Sequence, residues 1–146
     1  MTTGLYYAHS GTRWLVVLSI IVALGFMIYS LATKREQDRV TRIVMGVFSA
    51  LIGIQWVLGL LYYLLYGNLI NNYSRADWVA HLTTMTVAMI VAPLYVSFRK
   101  RASTRVFYIA SIVILLVVSG LIVYGVSFLG GGARWSFAPQ NPPPQL

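Results

Sequence analysis

The chain has 146 residues, of which 58% are hydrophobic and 10% charged, and it carries a formal net charge of +8. A soluble domain has about 25% charged residues, so this composition and a mean hydropathy of +0.74 indicate a single-domain integral membrane protein. The positive balance then reads as membrane topology and not as an affinity for nucleic acid. No cysteine is present, which excludes disulfides, thiolate-held iron–sulfur clusters and covalently attached c-type haem.

Four stretches meet the requirement of about 20 mainly apolar residues per span: 8–33, 40–66, 77–98 and 105–128. The first is long enough to cross a bilayer and is followed by no small-residue cleavage site, so a retained helix is expected and not a signal peptide. Polar connections at 34–39, 67–74 and 99–105 are short, which makes sequential helices antiparallel neighbours. The predicted fold is an all-α, up-down four-transmembrane-helix bundle over residues 1–129. Residues 130–146 form a Gly/Pro-rich tail.

Orientation follows from the basic residues. Lys34, Arg35, Arg39, Arg42, Arg99, Lys100, Arg101 and Arg105 fall in the first and third connections, against Arg13, Arg75 and Arg134 on the other side. Excess Lys and Arg in short loops marks the cytoplasmic side, so both termini are expected outside the cytoplasm. Tyr6, Tyr7, Trp14, Tyr62, Tyr63 and Trp78 supply an outer aromatic belt. Gly46, Ser49, Ala50, Gly53 and Gly59 give the second helix a small-residue face suited to close packing. Pro93 predicts a kink late in the third helix. Ser74 and Asp77 have the spacing of a capping box.

The few polar residues near the spans define the candidate chemistry. His9 and Arg13 are four apart, on one helical face, and His81 occupies a comparable position near the start of the third span. Neutral imidazole is an axial ligand for non-covalent haem b, and Arg13 is suited to a propionate. Interfacial hydrogen bonding to backbone, lipid or each other is the favoured account of both histidines, since a histidine at the interface costs little. Asp77 and Arg75 read as structural, with Asp77 pairing to Arg13 or Arg75 or orienting His81. Gln55 is the deepest strongly polar side chain. It suits either a bond across a helix interface or a contact to haem or to a quinone carbonyl. Thr83, Thr84 and Thr86 can return their hydroxyls to backbone carbonyls. No nucleophile–base pair, phosphate loop or metal-ligand cluster is apparent, and no catalytic residue is assigned. The basic clusters are accounted for by topology and anionic lipid. The tail reads equally as a disordered end or, through Trp135, Phe137 and Pro139, as an aromatic–proline segment for a partner or the membrane surface.

The opening His9-Ser-Gly-Thr-Arg-Trp14, the second-helix stretch Gln55-Trp-Val-Leu-Gly-Leu-Leu-Tyr62 and the pair Ala80-His81 resemble a family of small four-span bacterial membrane proteins often labelled cytochrome b-like. The resemblance covers residues 5–125. It implies haem b held by histidines, a role that His9 and His81 alone could inherit, although Ala80 stands where many relatives carry an acid. The architecture and tail also resemble an accessory subunit of a respiratory or photosynthetic assembly such as alternative complex III. The expected function is therefore that of an accessory or scaffolding membrane subunit in a quinol-oxidising electron-transport complex of the bacterial inner membrane, in contact with other subunits and lipids and with access to quinone. The alternative is a bis-histidine b-type cytochrome exchanging electrons with quinone.

Overall fold

A computed structural model describes residues 2–66 and 74–129, and the tail residues Trp135, Phe137 and Pro139 lie outside them. All regular structure in the described residues is helical: α1 (Thr2–Ala32), α2 (Arg39–Tyr66), α3 (Arg75–Val91), a 3₁₀ turn (Ala92–Leu94), α4 (Tyr95–Arg101) and α5 (Thr104–Ser127). Four helical stretches, Gly4–Ala32, Arg39–Leu65, Arg75–Arg101 and Thr104–Ser127, are long and apolar enough to cross a membrane. The chain is a multi-pass membrane protein built as a four-helix bundle.

The helix boundaries differ from the sequence reading in two informative ways. α1 begins at Thr2 and not at residue 8, because the polar opening residues simply extend the helix beyond its apolar run. His9 therefore sits two turns inside the helix. The third span runs from Arg75 to Arg101, beyond residue 98, and Pro93 interrupts it with a single 3₁₀ turn. A proline that cannot donate to residue i−4 is accommodated by tightening the local hydrogen bonding. At its start, Ser74 caps α3 in the predicted box: Ser74 Oγ accepts from Asp77 N, and the Asp77 carboxylate accepts from Ser74 N.

Neighbouring helices follow the order α1, α2, α3, α5 around the bundle, with α1 packed again on α5 and α4 on α5. The packing of α1 on α2 and of α3 on α5 is more extensive than that of α2 on α3. The molecule is thus two helical hairpins laid side by side. Its centre is filled by Val16, Ile20, Ala23 and Met27 of α1, Met45, Phe48 and Ile52 of α2, and Phe107, Ile114, Leu115 and Val118 of α5. Those of α1 and α2 recur at intervals of three and four, and those of α5 fall about two turns and then three turns beyond Phe107, which places each set on one helical stripe. Lipid tails are as apolar as leucine, so close packing and interhelical hydrogen bonds hold such helices together.

The small-residue face of α2 does not act as one surface. Of its three glycines, Gly59 alone meets another helix at close range among the described residues, whereas a Cβ added at Gly46 or Gly53 would meet nothing within 4 Å. Ser49 Oγ instead donates to the Ala92 carbonyl at 3.3 Å. That carbonyl lies in the 3₁₀ turn, where the helical pairing is already disturbed by Pro93.

At the end bearing the basic clusters, here the inner end, residues 33–38 are fastened to both adjoining helices. Asp38 Oδ1 accepts from Thr41 N at 2.8 Å and from Thr41 Oγ1 at 2.9 Å, capping α2 in the manner favoured for aspartate. Arg35 pairs with Asp38 and stacks over Phe26, 5.4 Å from its ring centre. Hydrogen bonding from Arg35, then from Thr41, holds the Asp38 carboxyl well below the usual carboxylate range. Tyr108, 1% exposed, donates to the Glu36 carbonyl at 3.2 Å and lies 3.4 Å from Thr41 Oγ1.

Candidate functional site at the outer end

The outer end holds the two histidines on helices that face each other across the bundle, α1 and α3. His9 lies within electrostatic reach of both His81 and Arg13. Each imidazole is held by the helix its own helix packs against most fully, α2 for His9 and α5 for His81.

His9 is fixed by Gln55. The amide Nε2 donates to the His9 carbonyl at 2.9 Å and faces His9 Nδ1 at 3.3 Å, while the Thr12 hydroxyl donates to Gln55 Oε1. Reversing the amide would bring its oxygen against the His9 carbonyl, acceptor to acceptor, so one orientation satisfies all the groups. Nδ1 then accepts, and the neutral ring carries its proton on Nε2. Gln55 thus makes the interface bond expected of a mid-helix amide, and it does so with a histidine. Gly59, one turn beyond Gln55, provides the space: a Cβ there would lie 2.8 Å from His9 Cε1 and 3.2 Å from Nδ1. Contacts below 3.0 Å require something to shift, and the ring is wedged between the glycine and the amide.

His81 is fixed differently. Its Nδ1 donates to the Gly125 carbonyl at 2.8 Å. Gly125 lies in the last turn of α5, where carbonyls have no partner within their own helix. The Phe128 and Leu129 amides both turn to Val126. His81 therefore supplies a C-terminal partner for α5, a place the helix dipole favours for a histidine. A proton on Nδ1 leaves Nε2 as the lone-pair nitrogen of the neutral ring.

The other expected site residues are distributed less simply. Arg13 lies over the Trp14 ring, 5.3 Å from its centre. The Asp77 carboxylate pairs with neither Arg13 nor Arg75, because it accepts from Ser74 N at 3.2 Å and from Ser74 Oγ at 2.7 Å. Its charge is committed to the first turn of α3. Arg75 is exposed in that same turn. Thr84 and Thr86 return their hydroxyls to Ala80 and Leu82 at 2.7 and 2.8 Å, as expected of threonines in an apolar helix. Thr86 Oγ1 also accepts from Trp56 Nε1 at 2.9 Å, joining α2 to α3. Aromatic pairs surround this end: Tyr6 with Tyr62 at 6.0 Å and Tyr63 with Trp78 at 5.9 Å between ring centres.

The sequence reading assigns no site role to Thr12 or Gly125, names Gly59 only within the small-residue face of α2, and does not pair Trp56 with Thr86. A signal for Gly59 exists in retrospect, since it shares a helical face with Gln55 at i+4. Gly125 acts through its carbonyl, which every residue possesses, and nothing in residue type distinguishes it.

Two histidines binding one haem iron through Nε2 would each need that nitrogen unprotonated. His81 meets the condition, with the carbonyl partner on Nδ1 that metal-bound histidines usually have. His9 does not meet it, because Gln55 presents an N–H to Nδ1 and leaves the proton on Nε2. As arranged, the pair fits one hydrogen-bond donor and one acceptor and does not fit two iron ligands. Among the described residues, no group of three or more His, Cys, Asp and Glu side chains is placed to hold a metal ion. No protein-family model matches the chain, and no curated protein or solved structure matches it.

Proposed function

We propose that this chain is a small accessory subunit of a quinone-linked electron-transport complex in the bacterial cytoplasmic membrane, with both termini outside. The observation that carries this reading is the His9–Gln55–Thr12 network. It spends two polar side chains, Gln55 of α2 and Thr12 of α1, on orienting one imidazole at the outer end of the bundle. An Nε2–H held in this way is a donor for a quinone or quinol oxygen at the depth where such headgroups reside. The partner subunits bring the electron carriers, and this subunit contributes a rigid apolar surface and an oriented donor.

The test is purification of the tagged chain from its own membranes in a mild detergent, followed by identification of what accompanies it. Co-purification with quinol-oxidising subunits is expected, and a protein recovered alone would overturn the assignment.

The cytochrome reading keeps one favourable observation, the bond from His81 Nδ1 to Gly125. It predicts b-type bands in a reduced-minus-oxidised spectrum of the haem-replete protein, lost in both His9→Leu and His81→Leu. Bands lost only in His81→Leu would mean that the second ligand comes from elsewhere.

A further inference from the structure

The inner end of the bundle carries more positive charge than the protein itself neutralises. Lys34, Arg35, Arg39, Arg42, Arg99, Lys100, Arg101 and Arg105 gather there with two carboxylates, Glu36 and Asp38. Asp38 is taken by Arg35, in the one ion pair among the described residues, and by the cap on α2. Glu36 accepts from the Thr104 hydroxyl at 3.2 Å. Seven cations remain without a carboxylate partner.

Their placement matters more than their number. Arg39 and Arg42 lie in the first turn of α2 and Arg105 in the first turn of α5, and neither turn contains an acid. The helix dipole disfavours a cation at an N-terminus, so these arginines occupy the wrong end for an isolated helix. Both N-termini are anchored to the same short connection, α2 through Asp38 and α5 through the bonds of Tyr108 and Thr104 to Glu36. The last turn of α4 adds Arg99, Lys100 and Arg101. Directly beside this rim, Val40, Ile43, Val96, Phe98 and Val106 are exposed, as residues facing lipid tails would be. The uncompensated cations therefore stand at the level of the phospholipid phosphates.

We infer that the inner rim is a binding surface for anionic phospholipid headgroups, centred on Arg39, Arg42 and Arg105, and that these lipids stabilise the folded bundle. The missing countercharge is supplied by the leaflet. A polybasic surface is attracted to anionic lipid within about a Debye length. Here the attraction also offsets the dipole at two helix starts. The inference is independent of the proposed electron-transport role.

The test uses the full chain in lipid nanodiscs made either of phosphatidylcholine or of phosphatidylcholine mixed with phosphatidylglycerol, read by thermal unfolding. The midpoint should rise by several degrees in the anionic bilayer. The rise should shrink at high salt and be largely lost in a triple variant, Arg39→Gln with Arg42→Gln and Arg105→Gln. Arg75→Gln, at the opposite end, should keep it. Equal midpoints in the two bilayers would overturn the inference, as would an equal rise from inorganic phosphate added to the neutral bilayer. A loss in Arg75→Gln as large as in the triple variant would replace a specific rim with simple net charge. Should the triple variant fail to fold, native mass spectrometry of the unaltered protein decides. Retained phosphatidylglycerol in preference to phosphatidylcholine is expected, and equal retention refutes the inference.

Discussion

A methyl group at position 59 would press on the imidazole of His9, 2.8 Å from Cε1, a ring whose Nδ1 already faces the Gln55 amide. Gly59→Ala should therefore cost about 1–3 kcal/mol, the usual range for overpacking, and should shift the His9 ring signals in an NMR spectrum. Gly53→Ala on the same helix has open space around it. It should be neutral or stabilising by about 0.5–1 kcal/mol through the lower backbone entropy of alanine. Equal effects at the two sites would mean that the wedge around His9 carries no load. The same contrast explains what the sequence could and could not convey. A histidine or a lone glutamine in an apolar run is conspicuous, so His9, His81 and Gln55 were legible as polar focal points. Their partners were not, because Gly59 acts through an absent side chain and Gly125 through its backbone. Asp77 was legible as part of a capping box, and the box is present. Deeper in the bundle, Ser30 and Ser111 are 0% exposed and their hydroxyls have no hydrogen-bond partner among the described residues. A buried hydroxyl without a partner is costly, so Ser111→Ala should leave stability unchanged or raise it by about 1 kcal/mol. Thr41→Val removes a hydroxyl bonded to Asp38 and near Tyr108, and should lower stability by about 1–3 kcal/mol. A destabilised Ser111→Ala would instead reveal a bound water or ligand at that hydroxyl.

Among the elements, the connection between α1 and α2 is where pH should act. The Asp38 carboxyl is held below its ordinary range by Arg35 and Thr41. Its pairing therefore stabilises the folded state above the unfolded carboxylate range, near pH 4, and that contribution fades as the pH falls further toward the folded value. Melting curves at pH 7 and pH 3 should differ more for the native protein than for Asp38→Asn, and identical differences would remove Asp38 as the source. Element boundaries were legible where chemistry marks them, as at Ser74 and Pro93. They were missed where a helix continues into polar residues, as α1 does from Thr2. Hydropathy reports the width of the bilayer, whereas backbone hydrogen bonding continues as long as no residue forbids it. The small-residue face of α2 was misread for a related reason. Small residues permit close approach without requiring it, and at Gly46 and Gly53 no helix among the described residues takes up the offer.

At the scale of the whole molecule, the orientation inferred from the basic residues makes a direct prediction. Alkaline phosphatase, which requires the extracytoplasmic side, should be active when fused after Leu129 and inactive when fused after Arg101, and the reverse pattern would invert the topology. The seam between the two hairpins has a further consequence. The α1–α2 hairpin contains the complete His9–Gln55–Thr12 arrangement, and the α3–α5 hairpin contains the complete His81–Gly125 clamp. Side-chain bonds from Trp56 to Thr86 and from Ser49 to Ala92 link α2 to the third span. As the chain leaves the ribosome, the first half can seat its histidine before the second half exists, and the second can seat its own without help from the first. Biosynthesis then ends with the meeting of two completed pieces, and neither imidazole awaits the other to be set in place. Damage along that junction would separate the pair while leaving each ring correctly seated. A cell would thus accumulate well-folded halves of a site, a failure that helix content and local stability alone would not expose.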